Sequence, residues 1–342
     1  MRLQYHVRVA KGSDPNMDFG HIVSQMIVLC VPILMGYAAS KLGFLDEKMD
    51  NALSRLIINV TLPCLIIASV TTTTDLPSTH DALELMGFSA VGYVLALLVA
   101  YVLPALTGVR GVLRGIYGFA IAFGNVGFIG YPVLSAIYGP KAVVYAAIAA
   151  IPNSLFLYSV GDSMIKTVPA GTEQQVEDSE SADKRKMGLG RRVRELLGHI
   201  INPTFVASIV LLALVLARIN DLGVLGQGLA VVGNFTTPAV LLVTGSTLAS
   251  YNPLSMFTNW RAYVAALGRL LGVPLLMLLV MRGFIADDFI RGVIVIGAAM
   301  PVASVGVLFC LLRNADVKPM MQTTFISIVA SVLTIPLLAT LV

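Results

Sequence analysis

Charged residues are scarce in this chain of 342 residues: they make up 12% of it, where soluble domains have about a quarter. Hydrophobic residues make up 57%. A soluble protein has no way to keep that much apolar surface dry, which excludes a soluble enzyme or nucleic-acid-binding protein. The apolar runs are continuous for about 20 residues, whereas barrel strands alternate apolar and polar residues. The composition predicts an all-α polytopic membrane protein embedded in a lipid bilayer.

Side chains that carry metal, redox or acid–base chemistry are also few. The three cysteines lie far apart inside apolar runs, and the four histidines fall at or outside the ends of such runs, so neither a metal site nor a cofactor is expected. No Asp or Glu lies at mid-depth in a run, which argues against a carboxylate-centred sodium or proton site and against an intramembrane protease. The basic residues sit in short loops, so nucleic acid is not an expected partner. We expect no enzyme and no catalytic residues.

The apolar runs define ten predicted membrane spans. Their ranges are 21–41, 50–72, 83–106, 112–137, 141–166, 199–219, 224–250, 260–282, 289–311 and 319–342. One long polar stretch separates the first five spans from the last five. The predicted organisation is an N-terminal tail at 1–20, a five-helix repeat at 21–166, a cytoplasmic loop at 167–198 and a second five-helix repeat at 199–342.

The positions of Lys and Arg predict the orientation. The connectors on the side of the 167–198 loop carry 15 of these residues, and the opposite side carries 7. Loops on the cytoplasmic side of a membrane are enriched in Lys and Arg. We therefore expect a multi-pass protein of the cytoplasmic membrane with both termini outside.

The two halves share a sequence motif. Span 2 contains Asn59-Val60-Thr61-Leu62-Pro63 and span 7 contains Asn234-Phe235-Thr236-Thr237-Pro238. Both follow the pattern N-x-T-x-P, and they are 175 residues apart. The pairs Arg114-Gly115 and Arg291-Gly292 open spans 4 and 9 at a separation of 177 residues. An odd number of spans in each half forces the second half to insert upside down, so the pattern predicts a 5+5 inverted repeat, as in many secondary transporters.

Helix breakers fall at matching places in spans 4 and 9. Span 4 reads Gly124-Asn125-Val126-Gly127-Phe128-Ile129-Gly130-Tyr131-Pro132, and span 9 reads Ala298-Ala299-Met300-Pro301-Val302-Ala303-Ser304-Val305-Gly306. Such residues also serve close helix packing, but a matched pair favours two broken helices around a binding site. The N-terminal ends of half-helices attract a carboxylate. Asn125, Gly127, Pro301 and Ser304 are therefore candidate substrate-binding residues.

Arg269 is the clearest charge inside a span. An intramembrane charge indicates a functional site, and the equally weighted alternative is an arginine that satisfies the carbonyl groups of a broken helix. The other deep polar residues are amides and hydroxyls, including Asn59, Thr61 and Asn153. Many residues of this kind only join helices to one another by hydrogen bonds.

Several stretches together resemble the auxin efflux carrier family, which comprises plant carriers and shorter bacterial members. They are Gly124-Asn125 through Leu134 with Tyr138-Gly139, Asn202-Pro203, Arg269-x4-Pro274, Ala298 through Pro301, and Ser331 through Pro336. The resemblance implies ten transmembrane helices in a 5+5 inverted repeat, with broken helices 4 and 9 that cross at the binding site. It also implies a scaffold that forms a homodimer.

The resemblance further implies transport of organic anions. It aligns Asn125 and Pro301 with the two helix breaks, Asn59 and Thr61 with substrate-facing positions of helix 2, and Asn153 with the part of helix 5 that lines the site. Span 2 lacks the lysine of the plant carriers, and the central loop is short. In these respects the chain is more similar to the bacterial carriers, whose implied substrates are acids like malate or malonate.

These observations predict a secondary transporter or facilitator that moves a small organic anion across the bacterial cytoplasmic membrane by alternating access. The anion would be a carboxylate similar to malate, malonate or auxin. One alternative is a sodium-coupled carrier like the bile-acid symporters. Another is a membrane anion sensor that binds without transport and signals through the 167–198 loop.

Overall fold

In the computed structural model, residues 19–73, 76–165 and 202–342 are described, and they are helical throughout apart from connectors. Twelve helices follow one another in these ranges. They are α1 Phe19–Lys41, α2 Glu47–Thr72, α3 Thr79–Leu106, α4 Gly111–Ala122, α5 Val126–Tyr138, α6 Lys141–Met164, α7 Pro203–Leu216, α8 Gly223–Ser250, α9 Trp260–Met281, α10 Asp288–Ala298, α11 Val305–Leu312 and α12 Lys318–Ala339. A single helical turn, Pro253–Met256, precedes α9. Most of the predicted tail and the whole 167–198 loop lie outside the described residues.

Seven of these helices are long and apolar enough to cross a membrane: α1, α2, α3, α6, α8, α9 and α12. Helices α4, α5 and α7 are apolar but shorter. Each helix coincides with one of the ten predicted spans to within a few residues at its ends, with α4 and α5 sharing span 4 and α10 and α11 sharing span 9. The prediction of an all-helical polytopic membrane protein is confirmed. The count of ten crossings and the inverted repeat stay predictions.

Local sequence signals explain where several helices begin. The Asp46 carboxylate accepts a hydrogen bond from the Met49 amide at 2.7 Å and caps α2. At α3, Ser78 and Asp81 form a reciprocal capping box. The Asp287 carboxylate accepts hydrogen bonds from two amides of the first turn of α10. Each cap satisfies backbone donors that the helix itself leaves unpaired.

The outward faces of the helices are apolar. Leu34 of α1, Val224 of α8 and Leu333 of α12 have 67%, 84% and 78% of their surface exposed. Large apolar side chains that point away from the protein on many helices indicate a hydrocarbon environment, because water would not tolerate such a surface.

Glycines allow a close contact between two long helices, α1 and α8. A Cβ atom at Gly36 would lie 2.1 Å from the Leu242 carbonyl oxygen, and one at Gly245 would lie 1.9 Å from the Ile33 carbonyl oxygen. Gly233 of α8 likewise lies against the backbone of Leu65 in α2. Helix α7 also packs on α2. Helices α1, α2, α7 and α8 thus form one packed group, which we call the glycine-packed group.

Candidate functional site

Two helix breaks lie inside the predicted spans 4 and 9. Helix α4 ends at Ala122 and α5 begins at Val126, while α10 ends at Ala298 and α11 begins at Val305. The first break lies N-terminal to Pro132, which the chain accommodates near the start of a regular helical segment after the π-helical turn Val126–Gly130. Pro301 lies in the middle of the second break, where its missing donor is no loss.

The two unwound segments pair with each other. Gly124 and Val302 form an isolated antiparallel β-bridge. The backbone amide of Asn125 donates to the Pro301 carbonyl oxygen at 2.7 Å, and the backbone amide of Ala303 donates to the Phe123 carbonyl oxygen at 3.0 Å. Backbone groups freed by the breaks therefore satisfy one another, which a nonpolar environment requires.

Arg269 of α9 contacts both breaks, and only 1% of its surface is exposed. Its Nη1 donates to the carbonyl oxygens of Ala122 at 2.9 Å and Ile121 at 3.3 Å, and its Nε donates to that of Met300 at 3.0 Å. Such carbonyls at a helix C-terminus carry partial negative charge. Of the two interpretations that the sequence leaves open, this geometry matches the arginine that satisfies carbonyl groups.

Gly124 leaves the room that the guanidinium occupies. A Cβ atom at this position would lie 1.9 Å from Nη2 and 2.6 Å from Cζ of Arg269. The sequence shows Gly124 only as one breaker among several. Its steric role becomes evident only from the position of Arg269 in the structure, because Arg269 is distant in the sequence.

The side chains of Asn125 and Ser304 meet at the start of the two second half-helices. Asn125 Nδ2 donates to Ser304 Oγ at 3.1 Å. Asn125 stands at the N-cap of the π-helical turn that opens α5, Ser304 at the N-cap of α11, and neither side chain caps its own helix. Neither side chain accepts from the first amides of its helix, but in α11 the Gly306 and Val307 amides donate to the carbonyl oxygens of Ala303 and Ser304. An anion placed here would therefore meet mainly the amides that open α5.

Space is open beside this pair. Asn125 is 9% exposed, whereas Ser304 is exposed and Gly127 is half-buried. A Cβ atom at Gly127 would meet no atom within 4 Å. Four predicted site residues, Asn125, Gly127, Pro301 and Ser304, thus lie at the paired breaks.

The remaining predicted residues differ in their surroundings. Asn59 is exposed, and its Nδ2 donates to the Arg55 carbonyl oxygen of its own helix at 2.8 Å. Thr61 and Asn153 are buried, and both Thr61 Oγ1 and Asn153 Oδ1 lack a hydrogen-bond partner. Thr236, the counterpart of Thr61 in the repeated motif, is also buried with an unpaired hydroxyl. Its helix packs against the Val126–Gly130 turn.

A narrow cavity of about 30 Å³ lies on another side of Arg269. Tyr93 and Ser89 of α3 and Val126 of α5 are among its lining residues. A volume of this size holds one or two water molecules rather than an organic substrate. Sequence inspection did not single out Tyr93, because an aromatic residue inside an apolar span carries no local signal.

A grouping of His80, Asp81 and Glu84 at the start of α3 has ligand atoms within 4.8 Å of one another. Its geometry follows from helix capping. Asp81 accepts from the Ser78 amide, and His80 Nδ1 lies 3.8 Å from Glu84 Oε2 as an i,i+4 pair. Acidic groups in a first helical turn are common, so this grouping does not indicate a metal centre.

Comparison with known proteins identifies relatives of the chain. A family model described as "Membrane transport protein" matches residues 21–339. A protein of the archaeon Methanothermobacter thermautotrophicus, described as an uncharacterized transporter, is 25% identical over 326 residues. The alignment covers 94% of this chain and 98% of the archaeal one.

Proposed function

Because the chain belongs to the membrane transport protein family, the auxin efflux carrier family that its sequence resembles, we propose that it is a secondary carrier of a small organic anion. The observation that carries the proposal is the meeting of Asn125 and Ser304, where two helices from opposite halves begin without side-chain caps. A carboxylate is the ligand such a place favours, because amide donors and two helix N-termini offer partial positive charge.

The charges in the two broken spans support an anion over a cation. Residues 111–139 and 289–312 contain no Asp or Glu. A sodium site normally gathers oxygen ligands that often include a carboxylate, and these segments supply none. The same absence means that an incoming carboxylate meets no like charge from them.

An inverted repeat accounts for the pairing of the breaks. Each residue of 123–125 has a counterpart 178 positions later, so Phe123 corresponds to Pro301 and Asn125 to Ala303. Replacing each residue by its counterpart converts the hydrogen bond from Asn125 to Pro301 into the one from Ala303 to Phe123. An antiparallel bridge has this two-fold relation, as two halves of opposite orientation would produce. We infer that the helices of the two halves cross at the breaks.

A second pair of contacts supports the same symmetry. Lys41 at the end of α1 donates to the Ala249 carbonyl oxygen at the end of α8, at 2.8 Å. Arg218, just beyond the end of α7, donates to the carbonyl oxygens of Leu76 and Pro77 beyond α2, at 3.1 and 3.2 Å. Lys41 and Arg218 are 177 positions apart, close to the separation of the breaks.

We propose that the glycine-packed group is the scaffold, that it forms a homodimer, and that the broken helices move against it in alternating access.

Flux into proteoliposomes tests the proposed function. Purified protein is reconstituted, and uptake and counterflow of a panel of labelled mono- and dicarboxylates are measured against protein-free liposomes, with sodium present or replaced by choline. Saturable flux of at least one acid, unchanged by choline, is the expected result. Flux that requires sodium favours a symporter. Binding without flux favours a sensor, and no acid flux at all contradicts the proposal.

The proposed orientation places both termini outside the cytoplasmic membrane. In a variant without Cys30, Cys64 and Cys310, a cysteine introduced at Ser78 should react with an impermeant maleimide in intact cells. A cysteine introduced within 170–185 should react only after the membrane is opened. These outcomes follow from the excess of Lys and Arg on the loop side. Reaction of both cysteines from the same side would contradict the ten-span topology.

The unpaired hydroxyls of Thr61 and Thr236 give a separate prediction. A buried hydroxyl without a partner destabilises a protein by about 1–3 kcal/mol. Thr61→Val and Thr236→Val should therefore raise the melting temperature while lowering the transport rate, if the hydroxyls are kept to bind substrate. Thr244→Val is the matched control, because the Thr244 hydroxyl already donates to the Val240 carbonyl oxygen at 2.8 Å. A lower melting temperature for Thr61→Val would show that its hydroxyl has a partner in the folded protein.

A further inference from the structure

Arg269 carries a buried positive charge that no acidic side chain balances among the residues described here. Three backbone carbonyl oxygens accept hydrogen bonds from it instead. Two of them, on Ile121 and Ala122, belong to the end of α4, and the third, on Met300, belongs to the break after α10. Each would otherwise be a buried acceptor without a partner, because α4 ends after Ala122 and Met300 lies outside any helix.

The arrangement has the chemistry of a cation site. Carbonyl oxygens from two helix ends converge, and helix C-termini attract positive charge. Here the cation is attached to the chain through the Arg269 side chain and stays in place. A guanidinium is planar, always charged, and able to donate to several oxygens at once, which suits this place better than an ammonium.

The guanidinium also touches both paired segments near the residues of the proposed site. Ala122 is three residues before Asn125, and Met300 directly precedes Pro301, whose carbonyl oxygen accepts from the Asn125 amide at 2.7 Å. Gly124 lies against the guanidinium between these contacts. A shift of Arg269 would therefore move the backbone on either side of Asn125.

From these contacts we propose that Arg269 is a positioning residue, a built-in cation that holds the two helix breaks together and thereby fixes the geometry of Asn125 and Ser304. It acts through the backbone rather than by touching substrate. Only the transport test of this inference rests on the proposed function. Whether Arg269 holds the two breaks together can also be measured as thermal stability.

Chemical rescue tests the proposal. Arg269→Ala leaves a space shaped for a guanidinium ion, and free guanidinium should bind there. In detergent, millimolar guanidinium chloride should raise the melting temperature of Arg269→Ala in a saturable manner, relative to equal sodium chloride. It should not raise that of wild type. Arg282→Ala is the matched control, because Arg282 lies just beyond the far end of α9 and donates to the Leu341 carbonyl oxygen while exposed.

Transport should follow the same pattern. We expect Arg269→Ala to lower the maximal rate by up to about 100-fold, the effect of displacing a binding group by about 1 Å. Guanidinium should restore part of that rate at the concentrations that restore stability. Arg269→Lys keeps the charge but reaches fewer carbonyl oxygens, so it should fall between wild type and Arg269→Ala.

The outcomes separate the two proposals. If wild type transports no acid but guanidinium still stabilises Arg269→Ala, the proposed function fails and the positioning role holds. If guanidinium and sodium chloride act alike on Arg269→Ala, or if Arg269→Ala matches wild type in rate and stability, the positioning role is wrong. If Arg269→Ala does not fold, Arg269→Lys decides: a variant that folds with lowered stability and rate supports the role, and wild-type behaviour overturns it.

Discussion

Asn125→Asp should abolish transport of a carboxylate while leaving the protein at least as stable as wild type. The two effects have opposite signs because Asn125 stands at the start of α5. Aspartate is a good residue at a helix N-terminus, and its charge interacts favourably with the positive end of the helix. The same charge faces an anionic substrate at the place where Asn125 and Ser304 meet. A loss of transport without a loss of stability would separate binding from folding.

The neutral substitution Asn125→Ala gives the size of the donor's contribution. It removes one hydrogen bond to a charged ligand, which contributes about 1.5–3 kcal/mol, so apparent affinity should fall roughly 10- to 150-fold. Asn125→Asp should be worse, because like charges at contact add to that loss. The measurement is initial uptake rate against substrate concentration, together with thermal unfolding of each variant.

Asn252→Asp is the matched control for this experiment. Asn252 is another N-cap residue, although it is exposed, and its side chain accepts from the Leu254 amide at 3.2 Å in the connector before α9. The same chemical change there should leave uptake at the wild-type level. An Asn125→Asp carrier that transports its carboxylate with wild-type affinity and rate would show that the site lies elsewhere or that the substrate is not an anion.

The helices and their breaks could be predicted from the sequence because both follow from local properties. Continuous apolar runs give the helices, and clustered Gly and Pro around Asn125 and Pro301 interrupt them whatever the neighbours are. The position of the first break was less predictable. Gly and Pro are spread over residues 124–132, yet the helix resumes at Val126. A π-helical turn, Val126–Gly130, precedes Pro132, which then stands at the second position of the regular α-helical segment that begins at Tyr131.

The partners of the site residues could not be predicted, because they come from distant parts of the chain. Nothing near Arg269 in the sequence indicates that its guanidinium contacts the carbonyl oxygens of Ala122 and Met300. The pairing of Asn125 with Ser304 likewise joins two segments from opposite halves. Asn59 differs, because its side-chain amide donates to a carbonyl oxygen of its own helix. Its role toward substrate stays a prediction.

Gly124→Ala should lower both the stability of the protein and its transport rate. The added Cβ atom would lie 1.9 Å from Nη2 and 2.6 Å from Cζ of Arg269. A flexible arginine could retreat, but three carbonyl oxygens hold this one, and the site is buried. The methyl group must therefore displace the guanidinium and leave buried carbonyl groups without a donor, which costs about 1–3 kcal/mol for each group.

Gly297→Ala is the matched control, because Gly297 lies in α10 just before the other break and a Cβ atom there meets nothing within 4 Å. Alanine in that helix should stabilise the protein by about 0.5–1 kcal/mol. Gly124→Ala should instead lower both the melting temperature and the transport rate to about the level of Arg269→Ala.

The double variant Gly124→Ala/Arg269→Ala decides whether the two residues act through one contact. Once the guanidinium is gone, the methyl group at position 124 has nothing left to displace, so the second substitution should add little further loss of stability or rate. Residues that share one contact are non-additive in this way, with coupling of about 0.5–3 kcal/mol. Additive losses would mean that the backbone of the break itself requires Gly124, independently of Arg269. The space at position 124 would then not be kept for the guanidinium.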